Sequence, residues 1–243
     1  MKLLRNLFWL IFIGAVFSQN LPFKSGEKLT YEIYFRFIPA GKTTLEITLS
    51  DSNWVIQSRT NSTGLIDKIY PVRDQLISTI DKDGLFTLKY EKNISEGKYK
   101  RNYHAEMHYQ DSVIRSSAGD VPVNAPVFDL MAMIYFLRSI DLSIGKEYSF
   151  RSFDNNKITP ITMKIFEKKE IKTKLGVMPC FILKPSKLQL DKKSKIKGGL
   201  EVWISDTPEH LPVMIKSDLL FGSMDAKLVE IQIMETNKII DNK

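Results

Sequence analysis

From residue 29 onward the chain alternates apolar and polar positions, which places successive side chains on opposite faces of a strand. In "LTYEIYFRFI", Tyr31, Ile33, Phe35 and Phe37 share one face, with Glu32, Tyr34 and Arg36 on the other. "PAGK" carries turn chemistry, and "TTLEITLS" then sends Leu45, Ile47 and Leu49 to one side, so these runs predict a hairpin. "NWVIQSRT" alternates next, and further strands are predicted over 74–80, 85–92 (after the turn "DKDG"), 98–109 and 112–116. The second half repeats the habit over 147–153, 158–172, 178–184, 200–205, 211–217 and 226–235. One stretch departs from it. "NAPVFDLMAMIYFLRSIDLSIG" has no alternation and predicts a helix over about 128–140. Asp129 is placed to cap its free N–H groups, and Arg138 sits near the end where exposed carbonyls favour a cation. Leu130–Leu137 is apolar at nearly every position, so the helix is expected to be enclosed on most sides. The predicted fold is therefore mostly β: a strongly curved antiparallel sheet or open β-barrel wrapped around one buried α-helix.

The first residues change where this domain is expected to reside. "MKLLRNLFWLIFIGAVFSQN" carries Lys2 and Arg5, an apolar run from Leu7 to Phe17, and Val16 and Ser18 where a cleavage point requires small residues. That pattern predicts a signal peptide over 1–18 and a single β-rich exported domain over 19–243, with an uncleaved anchor as the alternative. A pair of similar half-barrels remains compatible with this length. Loss of Lys2 and Arg5 takes the formal charge from +7 to +5. This mild basicity, in an exported chain, points away from nucleic acid as a partner. Cys180 is the sole cysteine, which rules out an intramolecular disulfide and a thiolate metal site; its setting in "CFIL" predicts a buried side chain.

Candidate chemistry is sparse. His104, Glu106 and His108 alternate in "YHAEMHY", about 7 Å apart on one strand face, where a weak metal site competes with the commoner solvated face. Neither a metal nor a cofactor is expected. The run "KPSKLQLDKKSKIKGG" has six lysines against Asp191. Lys187, Lys192, Lys193, Lys195 and Lys197 are candidates for contact with an anionic envelope surface, or a guard against edge-to-edge strand pairing. Asp206, Glu209 and His210 cluster in "WISDTPEHLPVMIK", but the flanking alternation and Pro208 mark a polar hairpin turn, with Asp206 bonding its own backbone and Pro212 starting the return strand. No phosphate loop or nucleophile elbow is visible, so the chain is not expected to be an enzyme. An envelope-polymer hydrolase would have to rely on His104, Glu106 and His210.

Four stretches, in order, carry a family resemblance: "SGEKLTYEIYFRFIPAGKTTLEI", "FDLMAMIYFLRSIDLSIGKEY", "KTKLGVMPCFIL" and "VWISDTPEHLPVMIK". Together they resemble the bacterial exported family known as domain of unknown function 3108. Its pattern maps onto Gly26, Glu27, Leu29, Tyr31, Gly41, Asp129, Tyr135, Arg138, Trp203, Asp206, Pro212 and Val213, which the resemblance implies are structural. It also implies a periplasmic or surface protein of a Gram-negative bacterium and supplies no catalytic residues. The expected function is non-enzymatic: binding or carrying a lipid or other apolar ligand, assisting assembly with an envelope protein partner, or peripheral membrane contact. A structural protein without a ligand cavity is the alternative. An outer-membrane barrel fits less well, because "KIFEKKEIKTK" interrupts the apolar band such barrels need and the C-terminal "IIDNK" is polar.

Overall fold

The computed structural model describes residues 21–186, 196–219 and 222–234. Its strands are β1 (Glu27–Phe35), β2 (Ile38–Ser50), β3 (Asn53–Ser62), β4 (Arg73–Asp81), β5 (Thr87–Glu96), β6 (Tyr99–His108), β7 (Val113–Ser116), β8 (Val121–Pro122), β9 (Glu147–Asp154), β10 (Lys157–Thr173), β11 (Gly176–Pro185), β12 (Ile196–Ser205), β13 (Pro212–Leu219) and β14 (Gly222–Ile233). They form one antiparallel sheet in the order β8-β7-β6-β5-β4-β3-β2-β1-β14-β13-β12-β11-β10-β9. Among the described residues no ladder joins β8 to β9, so the sheet is an open barrel. The seam between its ends is stitched by the backbone of Val127 and Phe128 and by side chains. Val127 O accepts from Thr87 N on β5 (2.9 Å), while Phe128 N donates to Arg151 O (2.9 Å) and Phe128 O accepts from Phe153 N (2.8 Å), both on β9. Arg101 donates to Asn155 Oδ1 (2.8 Å), Ser116 to Asn156 Oδ1 (2.7 Å) and Arg151 to Asn124 Oδ1 (2.6 Å), while Lys92 pairs with Asp154.

Alternation decides which face is inside. On β6, Tyr103, Ala105 and Met107 are buried, and Asn102, His104 and Glu106 are exposed. Apolar-in and polar-out is the reverse of a lipid-facing barrel.

One expectation is corrected. The "PAGK" residues lie inside β2, and the hairpin turns at Arg36 and Phe37, both in the left-handed region (φ 48° and 72°). Gly41 belongs to the strand because a Cβ there would lie 2.4 Å from the Asn61 carbonyl oxygen on β3. The helix is one of two: α1 (Gly64–Ile69) has no buried residue, and α2 (Leu130–Ser139) has seven. Leu130, at the mouth of α2, is 44% exposed.

The reason α2 lacks periodicity is that it packs on two sides. Met131, Ala132 and Tyr135 join the larger core, which is built mainly from β1–β6 with Leu29, Ile47 and Ile56 and also takes in Phe153, Val213 and Leu228. Met133 and Leu137 join the core of β9–β12, with Phe150, Ile165 and Leu183. Phe136 meets Phe128 and Phe150 edge-on. At the N-terminus of α2, Asp129 accepts from Met131 N (2.8 Å) and Ala132 N (3.2 Å), and also from the hydroxyls of Ser78 on β4 (2.5 Å) and Thr87 on β5 (2.8 Å). One carboxylate thus caps the helix and fastens it to the sheet.

Burial raises the Asp129 carboxyl above its ordinary value, and the four hydrogen bonds oppose that only in part. A raised folded value means that its contribution to stability is complete below the ordinary carboxylate range and is lost as pH rises through the folded value. Asp129→Ala strands two hydroxyls and uncaps α2, and is expected to cost about 2–4 kcal/mol in urea unfolding. Asp129→Asn keeps an acceptor for the cap. Its stability relative to wild type should improve as pH rises from acid to neutral.

Candidate functional site

The C-terminal end of α2 is held by a second buried charge. Arg138 is fully buried and donates to both carboxylate oxygens of Glu27 at 2.6 and 2.9 Å. It also donates to the carbonyls of Pro22 (3.3 Å) and Glu209 (3.2 Å), and lies over the rings of Phe23 and Tyr135 at 5.2 and 5.0 Å. Burial opposes its charge, but Glu27 outweighs that and the guanidinium is held above its ordinary value. Burial, with smaller electrostatic contributions, also pushes the Tyr31 and Tyr135 hydroxyls up, so both stay protonated at neutral pH. Tyr31 donates to the Pro212 carbonyl (2.9 Å). His210 Nδ1 lies 2.7 Å from the Arg138 carbonyl oxygen at the helix end.

Glu27, Tyr31, Tyr135, Arg138 and Pro212, distant in sequence, are therefore one assembly. Gly26 supports it: its φ is +86°, and a Cβ there would lie 2.0 Å from the Met234 carbonyl oxygen. The 206–210 segment forms the expected hairpin turn between β12 and β13, but it is more than polar filler. Its Glu209 carbonyl and His210 ring close over the end of α2. Asp206 does not bond its own backbone; its side chain pairs with Lys168, and its N–H donates to Pro179. Trp203, half-buried against the larger core, donates to Glu201 (3.1 Å).

The other candidates separate. His104 and Glu106 are exposed on β6, with His108 half-buried and 3.9 Å from Glu106, and His210 sits at the β12–β13 turn. No group of three or more His, Cys, Asp or Glu capable of holding a metal ion occurs among the described residues. Lys187, Lys192, Lys193 and Lys195 lie outside the described residues, and Lys197 falls on β12 by its backbone alone.

Beside the Glu27–Arg138 pair opens a groove of about 670 Å³, lined by the apolar side chains of Leu21, Phe23, Leu211, Ile231 and Ile233 and by the polar residues Lys24, Glu27 and Glu209. Its origin lies in strand register. β13 pairs with β14 only as far as Met214 opposite Lys227, whereas β14 continues along β1 to Ile233 opposite Glu27. Among the described residues, Leu228–Ile233 therefore has a strand neighbour on one side only. Ile231 and Ile233 pair with Leu29 and Glu27 and so point to the inner face. Their partners are buried, yet Ile231 and Ile233 stay 37% and 46% exposed. Sequence pattern showed the strand but gave no signal that its neighbour stops short.

Arg138→Met leaves Glu27 buried without a cation and is expected to cost about 3–5 kcal/mol in urea unfolding. Pairing it with Glu27→Leu should recover most of that loss; strictly additive losses would show that the two do not act as a unit. Cys180 is buried, and burial pushes its thiol up to about 11. It should react with Ellman's reagent at pH 8 only when the chain is unfolded.

Several solved structures are similar to this chain. A β-barrel-like protein of the DUF1849 family from Brucella abortus is 14% identical, with 86% of this chain and 98% of that chain covered and a TM-score of 0.58. A Bacteroides fragilis protein with a YmcC-like fold, provisionally described as exported, is 10% identical (87% and 98% covered, TM-score 0.39). A Parabacteroides distasonis protein, provisionally described as a lipoprotein, is 11% identical (87% and 98% covered, TM-score 0.36). The first supports the β-barrel-like fold. No helix among the described residues is long and apolar enough to cross a membrane. No curated protein matches the chain. The pattern of the family described as "Protein of unknown function (DUF3108)" matches residues 30–229, and the chain belongs to that family.

Proposed function

We propose that this is a non-enzymatic envelope protein that receives an extended apolar segment of another protein in the groove beside β14. The observation that carries the reading is the edge of Leu228–Ile233, which among the described residues has no strand partner on one side and lies next to an apolar wall. An unpaired edge offers backbone N–H and C=O groups that an added strand satisfies, while side chains at alternate positions meet Ile231 and Ile233. An acyl chain uses the wall and leaves the edge unsatisfied, which favours a peptide over a lipid. The centre of the barrel is taken up by α2 and by fully buried side chains including Tyr135, Phe153 and Arg138, which supports the rim as the binding site. Export rests on the apolar leader of the sequence and places the protein in the periplasm or at the cell surface.

The test uses a short alternating Val/Thr peptide and palmitate as probes of the purified protein. The peptide is expected to slow hydrogen exchange of the 229–233 amides, and Ile231→Lys to weaken it about tenfold, equivalent to about 1.4 kcal/mol. Binding of palmitate without the peptide would transfer the site to a lipid ligand. Binding of neither would remove the groove as a site.

A further inference from the structure

The opposite end of β1 has a different chemistry. Because the first six strands form a meander, the β1–β2 turn, the β3–β4 connection through α1, and the β5–β6 turn lie at one end of the barrel. They are joined there by Thr63 N to Ala40 O (3.0 Å) and Gly97 N to Pro71 O (2.8 Å). Each presents large apolar side chains outward. Phe37 is 89% exposed, Leu65 66%, Ile69 72% and Tyr99 52%, with Ile38 and Tyr70 exposed between them. The six belong to three separate segments and face no core.

The charges among these side chains have one dominant sign. Arg36, Lys68, Lys98 and Lys100 are all exposed at this end, together with Arg73, which is held by Asp67 at 2.6 Å. The acids on the same segments are Asp67 and Glu96. The β1–β2 turn is also built against its own backbone preference. Two consecutive left-handed residues in a two-residue hairpin favour Asn-Gly, and here they are Arg36 and Phe37. The strained turn leaves the Phe37 ring in solvent, while the exposed Arg36 side chain lies across Gly222 with its guanidinium 5.7 Å from the centroid of the Phe35 ring.

We infer that this end of the barrel is a docking surface for a bilayer carrying anionic phospholipid. Phe37, Leu65 and Ile69 enter the headgroup boundary, Tyr70 and Tyr99 sit at its polar level, and the four cations face lipid phosphates. The mixture of apolar tips from three separate segments with interleaved cations suits a fluid anionic surface, and the shallow hollow between Ile69, Tyr70, Lys98 and Tyr99 sets a cation beside aromatic rings at the level of the lipid phosphates. The surface is separate from the β14 groove. The two mark opposite ends of β1, about 26 Å apart along a nine-residue strand.

Vesicle sedimentation of the purified protein tests this. Binding to phosphatidylglycerol/phosphatidylethanolamine vesicles is expected, with little to phosphatidylcholine alone and a decline as salt rises. Lys98→Gln and Lys100→Gln should each weaken it about fivefold. The decisive variant is Arg36→Asn with Phe37→Gly. It supplies the residues the turn prefers, so thermal stability should hold or rise while vesicle binding falls at least tenfold. An uncleaved apolar leader would bind both vesicle types and ignore these substitutions, and that outcome overturns the proposal. So does binding to neither vesicle, which would leave a protein as the occupant of this end.

Discussion

A curved sheet of this width has no interior of its own until something fills it, and here the filling is a ten-residue helix anchored at both ends by buried charge. Asp129 ties the start of α2 to β4 and β5 through Ser78 and Thr87, and Arg138 ties its end to β1 through Glu27. Both charges also agree with the helix dipole. Charges in an apolar interior are costly unless each is fully partnered. The arrangement therefore admits few alternatives: helix position, the β12–β13 turn that supplies the Glu209 carbonyl, and the Pro22–Phe23 segment must all be in place together. The open barrel keeps its curvature partly through this helix, because among the described residues β8 and β9 share no ladder and α2 bridges the two cores.

This central plug leaves chemistry to the rims. At the Glu27 end, the β13–β14 ladder stops short and, among the described residues, leaves one side of β14 without a strand neighbour. At the Phe35 end, three connections project aromatic, aliphatic and basic side chains. The sheet between them is polar outside and packed inside, a rigid spacer between two surfaces of unlike character.

How much of this was legible in the sequence depended on how local the cause was. Strands were legible because each has its own period of two, and the cap at Asp129 because capping acts within one turn. The first hairpin was misplaced because "PAGK" has turn chemistry and Arg36-Phe37 does not; only the approach of Asn61 shows why Gly41 sits in a strand. Phe37 was consequently assigned to a strand face, when it is the most exposed of the large hydrophobic residues described. Glu27 and Arg138 each stood out through the family resemblance, but their pairing spans 111 positions and no local rule joins them. By sequence alone His210 is an incidental part of a polar turn, because its partner is a backbone carbonyl on a distant helix. The groove left no mark at all, because it arises from where a neighbouring strand ends.

The central claim is that α2 and the sheet form a single cooperative unit, and native-state hydrogen exchange measures this directly. If the two charged anchors act as described, amides from Met133 to Leu137 should exchange only through global unfolding, with the same free energy as Leu29, Ile47 and Ile56 in the sheet. Exchange of those helix amides through a local opening, well below the free energy of the sheet, would contradict the account.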